Sequence, residues 1–89
     1  MIASPNQITT RPNPFVSAIT LEITTPEDKP GVVRMVSEDG KIVQLFLWQL
    51  KKGINISNIN NLNRLASGKY LVDVMDKSGT IMCSAKIIK

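Results

Sequence analysis

The sequence predicts an all-β domain, either a sandwich or a barrel, and two observations support this prediction. From Phe15 onward, apolar and polar residues alternate with a period of two, which places successive side chains on opposite faces of a strand. Short stretches rich in glycine, proline, aspartate and serine separate these alternating segments. Several short strands joined by such turns are typical of sandwiches and barrels.

The first two strands are predicted from their alternation. The apolar face of the first strand comprises Ile19, Leu21 and Ile23. The turn-rich stretch 25–31 ends this strand, and a second strand follows over residues 32–37 with Val33 and Met35 on one face. Asp39 and Gly40 then predict a hairpin turn, because glycine accepts the positive φ that such turns require.

The third predicted strand, residues 41–50, is apolar on both faces. Phe46 and Trp48 point one way, and Leu45 and Leu47 point the other. A strand of this kind is expected to be central in its sheet or covered by another part of the molecule.

A fourth strand is predicted where Ile54 and Ile56 alternate with asparagine and serine. The asparagine-rich residues 57–66 follow, and they form either an irregular loop or a short helical turn. Leu62 and Leu65 are three residues apart, which fits one turn of helix and no more.

The chain ends on a predicted hairpin. Tyr70, Val72 and Val74 share one face of its first strand, and residues 76–79 form its turn. One face of the second strand is predicted to carry Ile81, Cys83, Ala85 and Ile87. This strand runs to the last residue, Lys89.

Residues 1–14 are predicted to be a linker, and residues 15–89 a single domain. The first ten residues show no periodicity, and Pro5, Pro12 and Pro14 favour extended backbone. No signal peptide is visible there, so we expect either a cytosolic protein or a fragment of a longer precursor. No apolar run reaches the roughly 18–20 residues of a membrane helix.

Composition argues against most enzyme classes. The chain has no histidine and one cysteine, which excludes Ser-His-Asp and Cys-His catalysis and the usual zinc sites. The paired carboxylates lie mainly in predicted turns, where they bond the local backbone. We therefore predict no enzymatic activity, no metal and no cofactor. Cys83 is expected to be a small buried hydrophobe.

The composition also argues against nucleic-acid binding. The net charge is +4, but the lysines are scattered and only Lys51 and Lys52 are adjacent. The chain has four aromatic residues, and Phe46, Trp48 and Tyr70 are predicted to lie in the core rather than on an exposed stacking platform. No nucleic-acid partner and no direct membrane span are therefore expected.

Four motifs together resemble the C-terminal sorting domain of the type IX secretion system of Bacteroidota, in its commoner type A form. In chain order these are residues 12–15 (PNPF), 39–43 (DGKIV), 65–74 (LASGKYLVDV) with 78–79 (SG), and 86–89 (KIIK). Each motif alone is weak, but their order and spacing are fairly specific. The resemblance covers residues 11–89.

The resemblance implies an immunoglobulin-like sandwich of about seven strands, in agreement with the strands identified above. It further implies a secreted or cell-surface protein that passes through the periplasm and the outer membrane. The domain would follow an N-terminal cargo domain and would be recognised by the outer-membrane translocon and shuttle components. A sortase-like cysteine peptidase at the cell surface would then remove it, which makes residues 1–14 a linker or cleavage-region remnant.

The resemblance also suggests which residues the secretion machinery recognises: Gly68, Tyr70, Gly79, Lys86, Ile87, Ile88 and Lys89. If the last strand lies at a sheet edge, its backbone could add to a receptor sheet, with Lys86 and Lys89 supplying charge. Equally, both lysines could simply protect that edge from aggregation. The glycines are most simply turn residues, and Tyr70 a core residue with its hydroxyl at the rim. The alternative function is an immunoglobulin-like or fibronectin-like spacer, or a glycan-binding module, of a surface protein.

Overall fold

Seven β-strands in two antiparallel sheets form the part of the chain that the computed structural model describes, residues 7–89. The strands are β1 (Gln7–Arg11), β2 (Ile19–Thr25), β3 (Lys29–Ser37), β4 (Ile42–Leu50), β5 (Gly53–Ile59), β6 (Lys69–Met75) and β7 (Ile81–Ile88). Within this described range, no helix is long and apolar enough to cross a membrane.

The strand order identifies the sandwich as immunoglobulin-like. One sheet has the order β1-β2-β5 and the other β4-β3-β6-β7. In the immunoglobulin fold the first, second and fifth strands share one sheet, and the third, sixth and seventh share the other, as they do here. The predicted fold class, an all-β sandwich of about seven strands, is confirmed.

The core lies between the two sheets and follows the alternation seen in the sequence. The fully buried residues Ile19, Leu21 and Ile23 of β2 face Val33 and Met35 of β3 and their neighbours on β6. Burying each such side chain contributes roughly 1.5–3 kcal/mol. The buried aromatic rings of the core are Phe15 and Tyr70, which meet edge to face with centroids 5.8 Å apart.

The prediction of a linker before Phe15 is wrong for Gln7–Arg11, which form β1. These residues pair with β2 in register, with Thr10 opposite Leu21. Ile8 packs against the core, but the surrounding threonines carry no apolar alternation that a sequence pattern would detect. The part of the predicted linker formed by residues 1–6 lies outside the described range.

The second predicted strand begins three residues earlier than expected, at Lys29. Gly31 lies inside β3 and allows a close approach to β4. A Cβ atom built on Gly31 would lie 3.2 Å from the carbonyl oxygen of Trp48. In the sequence Gly31 favours a turn, but in the structure it allows β3 and β4 to approach closely, as isolated strand glycines often do.

The prediction that the third strand is central or covered is wrong, because β4 is an edge strand. It pairs with β3 alone among the described strands. Phe46 and Trp48 point inward and are half-buried against the core. Leu45 and Leu47 point to solvent, and Leu47 is 83% exposed.

The predicted strand at residues 54 and 56 is confirmed as β5, with its isoleucines turned outward. Ile54 and Ile56 are exposed, and Asn55 is buried between them. The Asn55 amide donates a hydrogen bond of 2.8 Å to the Lys51 carbonyl and accepts one of 2.8 Å from the Lys51 N–H. This asparagine satisfies the backbone of the β4–β5 connection, which explains why a polar residue is buried there.

Residues 57–66 complete one strand and then form an irregular loop. Strand β5 continues to Ile59, and the loop begins at the next residue. In this loop the N–H of Leu65 donates a hydrogen bond of 3.1 Å to the Leu62 carbonyl, and Leu62 is fully buried. Of the two predicted alternatives, the irregular loop is the one observed.

A β-bulge changes the faces of the last strand. The register shifts between Val74 and Met75, so that Val74 pairs with Cys83 while Met75 pairs with Ile81. Ile81 is therefore exposed, and Met82 packs against the core instead. The prediction that Ile81 shares the inner face was wrong, because the bulge inserts an extra residue that a period-two pattern does not show.

Candidate recognition surface at the C-terminal hairpin

The turn of the β6–β7 hairpin is organised by Asp76. Its carboxylate accepts hydrogen bonds from the N–H groups of Ser78 (2.9 Å) and Thr80 (3.0 Å) and from the Ser78 hydroxyl (2.8 Å). These bonds favour the ionised form, and the Ser78 hydroxyl contributes most to lowering the pKa of Asp76. Gly79 has φ +89°, a conformation that suits glycine. Gly79 is therefore a turn residue at the far end of the hairpin from the chain terminus.

Lys89 is held in place by main-chain and side-chain hydrogen bonds. Its N–H donates to the Gly68 carbonyl (2.9 Å), and its own carbonyl accepts from the Gly68 N–H (3.1 Å). Its ammonium group donates to the carbonyls of Asn63 (3.0 Å) and Leu65. Lys89 is half-buried, and its charge is directed at the preceding loop rather than at solvent.

Tyr70 connects the same loop to the core. Tyr70 is only 7% exposed, and its hydroxyl donates a hydrogen bond of 2.6 Å to the carbonyl of Ala66. A tyrosine near the start of the sixth strand, bonded to backbone a few residues upstream, is the tyrosine corner of immunoglobulin-like domains. The predicted core position of Tyr70, with its hydroxyl at the rim, is confirmed.

The final strand does lie at a sheet edge, but part of that edge is occupied. β7 pairs with β6 alone among the described strands. The N–H of Phe15 donates a hydrogen bond of 2.9 Å to the carbonyl of Ile88, and the N–H of Ile88 donates one of 3.0 Å to Oδ1 of Asn13. By the alternation of an antiparallel ladder, the main-chain groups of Ser84 and Lys86 face this same outer side.

The predicted recognition residues differ in how accessible they are. Ile87 is fully buried in the core, whereas Ile88 is 49% exposed and Lys86 is exposed. Among the seven predicted residues, these last two present their side chains most openly to a partner. Gly68 lies beside them in space, through its two bonds to Lys89.

A groove of about 470 Å³ lies between the β6–β7 pair and the end of β3. Its apolar lining includes Val36, Leu71 and Ile88, and Lys69 and Lys86 also line it. Because Lys69 is paired with Ile88 and Leu71 with Lys86, lysine and apolar side chains alternate across the two strands. The groove thus combines apolar contact with positive charge.

One charged cluster near this surface was missed by the sequence reasoning. Arg34 Nη2 lies 2.9 Å from Oδ2 of Asp73, and the Ser84 hydroxyl donates a hydrogen bond of 2.7 Å to Oδ1 of the same carboxylate. The sequence pattern places Arg34 and Asp73 at polar positions opposite the core face of their strands, and this is the signal that could have found them. Only the β3–β6 pairing makes them neighbours.

Cys83 lies on the inner face of β7 and is half-buried. Burial raises the pKa of its thiol, and the nearby Asp73 charge raises it further. The thiol is therefore held in its protonated, weakly nucleophilic form. Within residues 7–89, no group of three histidine, cysteine, aspartate or glutamate residues is placed to hold a metal ion.

The strand order and the tyrosine corner define an immunoglobulin-like domain. The hydrogen bonds of the C-terminal hairpin make the last residues part of its framework. The chain matches the family described as the secretion system C-terminal sorting domain over residues 11–89. The chain belongs to this family, that of the type IX secretion sorting domains, and it is a C-terminal sorting signal for that system. Membership implies interaction with the secretion machinery and export to the cell surface or beyond, and the family is not one of enzymes.

Solved structures support the fold independently of the family. A β-glucosidase from Kluyveromyces marxianus in complex with glucose aligns with a TM-score of 0.53 at 13% identity, covering 96% of this chain. The selenomethionine-labelled form of the Kluyveromyces marxianus β-glucosidase gives a TM-score of 0.52 at 14% identity. This chain spans 14% of the length of each enzyme, so the likeness concerns the fold of one region. The comparison with curated proteins found no match.

Proposed function

We propose that this domain is the address of a larger cargo protein, read by the type IX translocon in the outer membrane and its shuttle components. The observation that carries the proposal is the family match over residues 11–89. The cargo domain lies N-terminal to the address and travels through the periplasm and the outer membrane to the surface. A folded address is recognised through its surface. The residues that contact the machinery are therefore distinct from the buried residues that stabilise the fold.

Within the predicted recognition set, we assign direct contact to Lys86 and Ile88, together with the groove beside them. Their side chains are exposed, and the groove supplies apolar area next to positive charge. Gly68, Tyr70, Gly79, Ile87 and Lys89 act instead through the fold, because they are buried, in turns or bonded to the loop.

We further propose that the sortase-like peptidase removes the domain by cutting before Gln7. A protease needs an accessible, extended segment, which a paired strand of a folded domain does not offer. Residues from Gln7 onward are in a strand, and Asn13 and Phe15 are bonded to Ile88. The cleavage region predicted from the sequence, in or upstream of residues 1–14, is thereby narrowed to the part of the precursor before Gln7.

The alternative function, a spacer or glycan-binding module, gains no specific support. Glycan binding usually needs an exposed aromatic platform, and Phe15 and Tyr70 are buried while Phe46 and Trp48 are half-buried. The position of the domain in its full-length protein gives a direct check, since an address must come last and a spacer need not.

The test is a reporter fused upstream of the 89-residue chain in a host that carries the type IX machinery. We expect the reporter on the surface or in the medium only when the domain and the machinery are both present. Lys86→Ala is expected to reduce export, and Lys52→Ala, at an exposed lysine distant from β7, serves as the matched control. Retention of the intact wild-type fusion inside the cell contradicts the proposed function. Mass spectrometry of the released domain locates its first residue.

A further inference from the structure

The four-stranded sheet presents an apolar face to solvent on the side opposite the core. Residues paired across a ladder share a face of the sheet. One cross-strand row on this side consists of Leu47, Val32, Met75 and Ile81. A second row runs through Ile42, Val36 and Leu71 and ends at Lys86. We call this side the outer sheet face.

The exposed apolar side chains of the described residues concentrate on the outer sheet face. Leu47 is 83% exposed, Leu45 59% and Ile81 51%, and Ile42 and Ile88 are exposed to a similar degree. Scattered apolar residues on a surface are ordinary, but a contiguous group on one face marks an interaction site. Four strands and two such rows give an area roughly 14 Å across in each direction, at ordinary strand spacing and rise.

The row between the two apolar rows begins with Leu45 and continues with a neutralised polar group. It contains Arg34 and Asp73, 2.9 Å apart, with Ser84 bonded to the same carboxylate. Asp73 is only 2% exposed although it is on the solvent side of the sheet, because its neighbours cover it. The Asp73 carboxylate is already buried and bonded, so a partner that covers this pair desolvates mainly the Arg34 side chain, which is 33% exposed. The centre of the face therefore carries one compensated charge pair between two apolar rows.

The margins of the outer sheet face are positively charged. Lys86 and Lys69 line the groove at one end, and Lys77 lies beside Leu47 and Trp48 at the other. Glu38 is the acidic residue that lines the same groove as the first two lysines, and Asp76, whose carboxylate is bonded within its own turn, lies beside Lys77. The whole chain carries a net charge of +4. A surface that complements this arrangement has an apolar centre and carboxylates around it.

A second copy of the chain fits this surface less well. A two-fold dimer would bring the same lysines to both sides of the interface. The face is also small against the roughly 800 Å² that each partner buries in a stable complex. Both considerations favour a different protein and a transient contact.

We propose that the outer sheet face is the docking surface for a protein of the secretion machinery whose own surface is apolar at its centre and acidic at its margin. The inference rests on the proposed function and deepens it, because it extends recognition from Lys86, Ile88 and the groove beside them to a sheet face that includes β4. It makes Leu45 and Leu47, which lie far from the C-terminal motif in sequence, part of the address.

The experiment compares two double variants in the reporter fusion. Leu45→Thr with Leu47→Thr removes apolar area from the outer sheet face, and Ile54→Thr with Ile56→Thr removes similar area from the edge strand of the other sheet. Threonine suits strands, so both variants are expected to fold, with thermal midpoints of the isolated domain close to that of the wild type. We expect at least a tenfold loss of surface reporter for the first variant and less than a twofold loss for the second.

A charge-reversal pair tests the margin. Lys69→Glu with Lys86→Glu is expected to reduce export at least fivefold, and Lys51→Glu with Lys52→Glu, which makes the same change in net charge elsewhere, is expected to leave export within twofold. Equal effects of the two pairs overturn the acidic-partner assignment.

If Leu45→Thr with Leu47→Thr fails to fold, Leu47→Thr alone is measured under the same criterion.

The outcomes separate the two proposals. Failure of the wild-type fusion to be exported contradicts the proposed function itself. Normal export of both the wild type and a folded leucine variant (Leu45→Thr with Leu47→Thr, or Leu47→Thr alone) overturns the docking surface and leaves the proposed function standing. Sedimentation showing a dimer of the domain that Leu47→Thr dissociates assigns the face to a second copy, which also overturns the inference.

Discussion

The ammonium group of Lys89 donates a hydrogen bond of 3.0 Å to the main-chain carbonyl of Asn63, 26 residues earlier in the chain. The same ammonium group reaches the Leu65 carbonyl, and the backbone of Lys89 is paired with Gly68. The last residue therefore fastens the loop that leads into β6. The charge of Lys89 therefore has a structural role, whereas the sequence alone suggested recognition or edge protection.

The first prediction separates the two terminal lysines. Lys89→Met keeps the aliphatic stem but removes the bonds to the loop, and it is expected to lower the free energy of unfolding by about 1–2 kcal/mol. Lys86→Met, at an exposed position, is expected to change it by less than about 0.5 kcal/mol. Urea unfolding of the two variants at one pH measures the difference. Equal destabilisation contradicts the role given to Lys89.

The second prediction concerns the tyrosine corner. Tyr70→Phe keeps the ring against Phe15 and removes only the hydroxyl bond to Ala66, so it is expected to destabilise the domain by about 1 kcal/mol. Tyr70→Ala also creates a cavity and is expected to cost about 3–5 kcal/mol, by analogy with large aromatic truncations. Thermal unfolding of both variants is the measurement. A Tyr70→Phe variant as stable as the wild type would show that the hydroxyl bond contributes nothing net.

The third prediction concerns the ion pair on the outer sheet face. Arg34→Met leaves the Asp73 carboxylate buried without its cation, and it is expected to destabilise the domain by about 2–3 kcal/mol, less than a fully buried pair because Arg34 is partly exposed. Arg34→Met combined with Asp73→Leu removes both charges and is expected to recover most of that loss. Denaturant unfolding of the wild type, Arg34→Met, Asp73→Leu and the double variant completes the cycle. A double variant less stable than Arg34→Met alone would contradict this account.

The strands that bury one face were predictable from the sequence, because burial on one side forces a period of two. In β2 the alternation of Ile19, Leu21 and Ile23 states directly which side chains enter the core. β6 behaves in the same way on its inner face, where Tyr70 and Val72 are buried. Turns such as Asp39-Gly40 were also predictable, since few residues suit a positive φ.

Other features depend on tertiary pairing and leave no local signal. β1 is held by its ladder with β2 rather than by an apolar pattern of its own. Whether β4 is central or at an edge follows from the whole sheet order, and two apolar faces suggested the wrong position. The exposed Leu47 and the neutralised Asp73 therefore belong to a surface that only the assembled sheet reveals.

The fourth prediction concerns acid stability and the hairpin turn. Hydrogen bonds from Ser78 and Thr80 lower the pKa of Asp76 in the folded protein below its ordinary value of 3.8. Because the folded pKa is the lower one, Asp76 stabilises the fold above about pH 4 and loses this contribution as the pH falls through the folded pKa. Asp76→Asn keeps an acceptor oxygen but does not titrate. The stability advantage of the wild type over Asp76→Asn is therefore expected to shrink between about pH 6 and pH 2, as measured by thermal midpoints across that range.

Thr24→Ser, an exposed change without a titrating group, is the control and should track the wild type. A constant difference between the wild type and Asp76→Asn at every pH would show that the carboxylate charge does not stabilise this turn.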